Sequence, residues 1–192
     1  MDDSMTETPS GAAGTPGAIQ WPDRIFEILQ SSGVKQVGYV PDGGHARLIE
    51  RAKSHPSMRA VSLTTEEEGV ALCAGAWLGG DRSVLLMQSS GVGNCVNMFS
   101  FIQICKFPFL MLVTMRGEWG EFNPWQIPMG STTEPVLEMS GIRTVRADSP
   151  DRVEETVRHA ADMVYHGGAA VAVLLSQKLI GAKVFVEGGT AI

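Results

Sequence analysis

The segment Ser83-Val84-Leu85-Leu86-Met87-Gln88-Ser89-Ser90-Gly91-Val92-Gly93-Asn94 decides the fold. Val84 to Met87 are all apolar, with no alternation of polar positions. A strand that shows water neither face must lie in a sheet covered on both sides, and such sheets are typically parallel. The polar, glycine-bearing run Gln88 to Asn94 breaks the strand, and Cys95 to Cys105 reads as a helix behind it. Phe109 to Thr114 then forms the most apolar strand of the chain, expected at the sheet centre.

The alternation continues in both directions. Upstream, Glu66 to Gly79 reads as a helix rich in small residues, which lets a neighbour approach closely. Before it, Trp21-Pro22-Asp23 starts a helix with Ile25, Ile28 and Leu29 on one face and Gly33 at its end. Gln36 to Val40 reads as a strand broken by Pro41-Asp42-Gly43-Gly44; a helix bearing Ala46, Leu48, Ile49 and Ala52 follows, then a strand from Met58 to Leu63. Downstream, Met115 to Gly130 reads as a long loop, and loops of that length are usually functional. A short helix is expected over Pro135 to Met139 and a strand over Arg143 to Val145. Ser149-Pro150-Asp151 should cap a helix whose inner face is Val153, Val157, Ala160, Ala161 and Val164, and Ala170 to Leu175 is the last strand. Strands alternating with helices predict an α/β fold: a three-layer sandwich with a mostly parallel central sheet and helices on both faces. The expected folded unit is residues 19–180, between a disordered tail at 1–18 and a C-terminal tail at 181–192.

A chain of 192 residues with 44% hydrophobic content suits one such domain. Its net charge of −6 brings no basic patch, so nucleic acid is not an expected partner. No apolar run of about 18 residues predicts a membrane span, and Met1 to Gly17 lacks the apolar core of a signal peptide. Cys73, Cys95 and Cys105 lie in apolar stretches and are expected to be buried free thiols of a reducing cytoplasm. The four histidines show no metal-ligand spacing, so no metal ligand is assigned to this chain.

In parallel sheets, ligands gather at the carboxyl ends of strands. Three irregular segments fall there: Pro41–Gly44, Gln88–Asn94 and Met115–Gly130. Gly91-Val92-Gly93 is not a dinucleotide fingerprint, because the third glycine position holds Val96. Gly91 and Gly93 either let the backbone approach a ligand or make a tight turn, and Asn94 can cap the following helix. Glu66-Glu67-Glu68 opens a helix, where carboxylates suit the helix dipole; one of the three can instead point into a site. Arg116 either holds an anion bidentately or pairs with Glu118 or Glu121. The loop's aromatics, Trp119, Phe122 and Trp125, suggest a surface buried by a partner, or a lid. His45 reads by default as a solvent-exposed loop histidine.

Four blocks, taken in order, resemble the pyrimidine-binding domain of thiamine-diphosphate enzymes, and most closely the alpha subunits of sulfopyruvate decarboxylase and the related phosphonopyruvate decarboxylases. They are Pro41-Asp42; Glu66 to Ala76, in which Gly75 stands nine residues after Glu66; Gln88 to Asn94; and Arg116-Gly117 with Pro124, Gln126 and Met129-Gly130. The resemblance covers about Trp21 to Gln177. Ser89 stands where the family pattern has Asn, and the loop Glu118 to Trp125 departs from the sulfopyruvate pattern.

That resemblance implies a thiamine-diphosphate-dependent 2-oxo-acid decarboxylase acting on a small anionic substrate such as sulfopyruvate or phosphonopyruvate. It implies Glu66 as the catalytic carboxylate, hydrogen-bonded to the aminopyrimidine ring nitrogen. Pro41, Gly43, Ser90, Gly91, Gly93 and Asn94 would line the cofactor, and His45, Asn94, Arg116 and Gln126 are candidates for the substrate. The family's Gly-Asp-Gly and Asn-Asn motifs, which hold Mg²⁺ and the diphosphate, are both missing from this chain. A beta subunit carrying them is the implied partner, in a hetero-oligomer with further copies of this chain. A thiamine-diphosphate-dependent carboligase subunit, or a non-catalytic α/β nucleotide-binding or scaffold subunit, are the alternatives.

Overall fold

Six strands with parallel neighbours throughout form the sheet of this computed structural model, which describes residues 20–181. The expected tails at 1–18 and 181–192 lie outside the described residues, apart from Gly181. The strands are β1 (Val34–Tyr39), β2 (Arg59–Ser62), β3 (Arg82–Gln88), β4 (Phe109–Thr114), β5 (Arg143–Ala147) and β6 (Ala170–Leu175), in the spatial order β2-β1-β3-β4-β6-β5. The apolar strands β3 and β4 are the central pair, and every residue of β4 is buried.

Side-chain alternation along these strands feeds two cores. Val84, Leu86, Leu110, Leu112, Val171 and Val173 pack with α1 (Trp21–Ser31), α2 (Ala46–Ser54) and α7 (Pro150–Tyr165). Leu85, Met87, Met111, Val113, Ala172 and Leu174 pack on the other face, against α3 (Glu66–Leu78), α4 (Ser89–Cys95), α5 (Phe99–Cys105) and α6 (Gln126–Met139). Because successive residues of a strand point to opposite faces, an unbroken apolar run produces these three layers. The expected inner face of α7 is buried at all five positions. Ser149 occupies the N-cap position of α7 but makes no side-chain cap bond.

Several local expectations are overturned. Gln88–Asn94 is not an irregular turn: α4 begins at Ser89, directly after β3. The single helix expected over Cys95–Cys105 is two, with α5 starting at Phe99. The loop after β4 ends at Gln126, where α6 begins, and α6 runs well before the expected Pro135. A short helix, α8 (Gln177–Ile180), follows β6. Among the described residues no helix is long and apolar enough to cross a membrane.

Cys105 is exposed, against expectation, whereas Cys73 and Cys95 are buried. Burial pushes both inner thiols up to about 12, so neither supplies thiolate at neutral pH. An aromatic disulfide reagent should therefore titrate one thiol rapidly in the isolated folded chain and all three cysteines after denaturation. Rapid reaction of a second thiol before unfolding would contradict the packing of Cys73 and Cys95.

Candidate active site

Parallel strands put the ends of β1, β2 and β3 on one edge of the sheet, and a cleft of about 190 Å³ opens there. Val40, Pro41 and Asp42 line it from the end of β1, Glu66 from the start of α3, and Gln88 and Ser90 from the end of β3. The lining combines two carboxylates, an amide and a hydroxyl with apolar side chains.

The triple glutamate resolves by its hydrogen bonds. Glu68 accepts from the backbone N–H of Thr64 at 2.9 Å, reaching back over the helix start as the glutamate of a capping box does, although the N-cap Thr65 makes no cap bond in return. Glu67 accepts from the Thr65 hydroxyl. Glu66 alone turns into the cleft, although it is only 8% exposed. Its Oε2 accepts from Asn94 Nδ2 at 2.8 Å, and Oε1 has no hydrogen-bond donor among the described residues.

Gly91 makes this possible. A Cβ at Gly91 would lie 2.5 Å from Cγ, Cδ and Oε1 of Glu66. The glycine is thus a space for the carboxylate, within a helix, rather than a loop residue. Gly93 does a different job: a Cβ there would meet Met129 Sδ at 3.0 Å, so it lets α6 approach α4.

The polar side of the cleft is a connected set. Ser90 Oγ donates to Gln88 Oε1 at 2.9 Å, and Gln88 Nε2 donates to Asp42 Oδ1 at 3.1 Å. Thr114 Oγ1 donates to Asp42 Oδ2 at 2.6 Å. Asp42, Gln88 and Thr114 were not assigned roles from sequence. An acid beside the strand-ending Pro41 and a glutamine ending β3 were the visible signals; Thr114 gave none.

His45 is not the exposed loop residue expected. It is 1% exposed, and its Nε2 donates to the Leu112 carbonyl at 3.0 Å. Burial lowers its pKa from the ordinary histidine value, so the imidazole is neutral at neutral pH. Gly43 opens the 3-10 turn that carries His45 and is not among the residues that line the cleft. Asn94 does not cap a following helix: it lies inside α4 with its amide on Glu66.

Arg116 resolves to the pairing alternative. Its Nε and Nη2 each reach Glu121 at 2.6 Å, a bidentate pair partly shielded from solvent. Glu118 instead takes Arg146 at 2.7 Å. Gln177, missed entirely in the sequence, ties the loop down. Its Oε1 accepts the N–H groups of both Glu118 and Trp119 at 2.9 Å, and its Nε2 donates to Glu121 at 2.9 Å. Gln126 starts α6; its backbone packs on Gly117, and its Oε1 is shut from solvent without a hydrogen-bond partner. The aromatic side chains point outward, Trp119 61% and Trp125 83% exposed.

The Arg116 guanidinium holds Glu121 well below the usual carboxylate range, at about 2, against the opposing effect of burial. A carboxylate with a depressed folded pKa stabilises fully above its unfolded pKa and loses that stabilisation as pH falls through the folded one. The pair should thus be at full strength above about pH 4.5 and fade towards about pH 2. Melting temperatures of wild type and Glu121→Gln should differ most near neutrality and converge over that window. A constant difference down to pH 2 would disprove the ion pair's role.

Comparison with known proteins bears on most of the chain. No family model matches it. The sulfopyruvate decarboxylase subunit alpha of Methanococcus maripaludis is 32% identical over 154 residues, covering 80% of this chain and 92% of that one. The corresponding subunit of Methanocaldococcus jannaschii is 30% identical over 151 residues, covering 78% and 89%. Phosphonopyruvate decarboxylase of Streptomyces viridochromogenes is 36% identical over 113 residues, 58% of this chain and 28% of that longer protein. Among solved structures, 2-oxoglutarate:ferredoxin oxidoreductase from Magnetococcus marinus superposes with a TM-score of 0.69 at 14% identity. The match covers 90% of this chain and 34% of that one, and at that identity the likeness is one of fold.

Proposed function

Since the chain belongs to the family of sulfopyruvate decarboxylase alpha subunits, we propose that its cleft is the pyrimidine half of a thiamine-diphosphate site completed by a beta subunit. The observation that carries this reading is Glu66: a nearly buried carboxylate with one oxygen tied to Asn94 and the other open to a cleft. The lining fits an aminopyrimidine. Oε1 can accept from a ring nitrogen, Gln88 and Ser90 offer polar contacts, and Val40 and Pro41 offer apolar ones.

When bound, thiamine diphosphate supplies the nucleophile for the 2-oxo carbon and the electron sink that lets carbon dioxide leave. Glu66 Oε1 would accept from a ring nitrogen of the bound pyrimidine and so stabilise a proton there. In a site shielded from water that contact is stronger than in solvent. Pro41 and Ser90 hold the ring, and Gly91 keeps the space in which the Glu66 carboxyl sits. The lack of Gly-Asp-Gly and Asn-Asn in this sequence supports the reading that a beta subunit holds the diphosphate and Mg²⁺. Arg116 enters as half of an ion pair with Glu121 rather than as a free cation. His45, sealed beneath the strand ends, supports the architecture of the site.

The substrate proposed is sulfopyruvate or a close phosphonated analogue. The test combines this chain with the beta subunit, thiamine diphosphate and Mg²⁺, and follows carbon dioxide release from sulfonated, phosphonated and plain 2-oxo acids. Release that needs both chains and the cofactor supports the reading. A stable complex that binds the cofactor but turns over none of these acids redirects it to carboligation. No complex and no cofactor binding overturn it.

A further inference from the structure

We infer that Asn94 is a positioning residue that dictates which oxygen of Glu66 serves the reaction. The inference rests on the cofactor reading above and assigns Asn94 no contact with cofactor or substrate. A carboxylate only accepts hydrogen bonds, so the amide must present its N–H to Glu66 Oε2, 2.8 Å away. Oε2 is thereby occupied, and Oε1, lying over Gly91, is the oxygen left for the cleft.

Two neighbours in one short helix thus restrain the same carboxyl. Gly91 restrains it by close approach and Asn94 by a directed bond, three residues apart on α4 and so on one face of the helix. Without the amide, no hydrogen bond among the described residues fixes either oxygen, and the carboxyl plane can turn over Gly91. Asn94 itself is exposed, so its removal should leave folding intact.

Removing the donor while keeping the branched shape, as in Asn94→Leu, should lower kcat of the two-subunit holoenzyme about 10- to 100-fold, the scale of a lost bond to a charged group. Calorimetric titration with thiamine diphosphate and Mg²⁺ should show affinity changed only a few-fold. In a double-mutant cycle, Asn94→Leu should add almost nothing to Glu66→Gln, because both act through one carboxyl.

Asn94→Asp adds a readout that a merely structural role would not move. Two carboxylates at that distance share one proton, which substitutes for the amide N–H. Losing that proton as pH rises makes them repel, so kcat relative to wild type should fall with rising pH in this variant and not in Asn94→Leu. Wild-type kcat in Asn94→Leu overturns the inference, as does full additivity in the cycle. Affinity loss with unchanged kcat also overturns it, by making Asn94 a direct ligand. If Glu66→Gln itself turns over normally, the cofactor reading falls and this inference with it.

Discussion

Replacing Glu66 by glutamine is expected to cut turnover by on the order of 10²–10⁴, the usual loss when assistance to proton transfer is removed. The substitution keeps shape and volume, so the effect is chemical. Asn94 donates to the side chain, and its demand for an acceptor turns the new amide's oxygen towards it. The amide's NH₂ then faces the cleft, a donor where an acceptor is required. Steady-state kcat with the beta subunit, thiamine diphosphate and Mg²⁺ is the measurement. Turnover within a few-fold of wild type would remove Glu66 from the chemistry.

Gly91→Ala should produce a comparable loss without touching a functional group. The added methyl would stand 2.5 Å from three atoms of the Glu66 side chain, closer than any real contact, so the carboxyl must leave its place. A misplacement of about 1 Å in a catalytic group can cost about 10²-fold. Alanine is also the better helix former by about 1 kcal/mol, so α4 should fold as well as before or better. The expected signature is a melting temperature at or above wild type with turnover down at least tenfold. Full activity would mean that the carboxyl has room to spare and that the close approach is incidental.

The two predictions draw on features with different visibility in the sequence. The layered sheet is legible because Val84 to Met87 and Phe109 to Val113 are apolar without alternation, and only burial on both faces explains that. The inner face of α7 is legible through its helical spacing. Glu66 is singled out only by the family resemblance, which sets a glycine nine residues after the glutamate, here Gly75; nothing intrinsic does so, since three glutamates stand together. What chooses among them is tertiary: a glycine and an asparagine on α4, more than twenty residues further on.

The misreadings share one cause. Ser89-Ser90-Gly91-Val92-Gly93-Asn94 has loop composition, with two glycines that each weaken a helix by about 1 kcal/mol. Packing of Gly91 on Glu66 and of Gly93 on Met129 overrides that local preference. Likewise α6 holds Pro128 in its first turn, where proline is tolerated, and Pro135 in its interior, where it removes a backbone bond. These prolines conceal the helix from a reading by propensity. His45 and Gln177 carry no local signal at all: one is buried against Leu112 and the other is fastened to Glu118 and Glu121, all distant in sequence.

Gln177 has a kinetic meaning. With two N–H groups of the loop on its Oε1 and Glu121 on its Nε2, the segment that displays Trp119 and Trp125 is braced from behind before anything arrives. A surface docking there would meet projecting rings on a scaffold that need not rearrange. Association at that rim would then be a rigid-body encounter, its rate set by diffusion and orientation rather than by a loop searching for its bound shape.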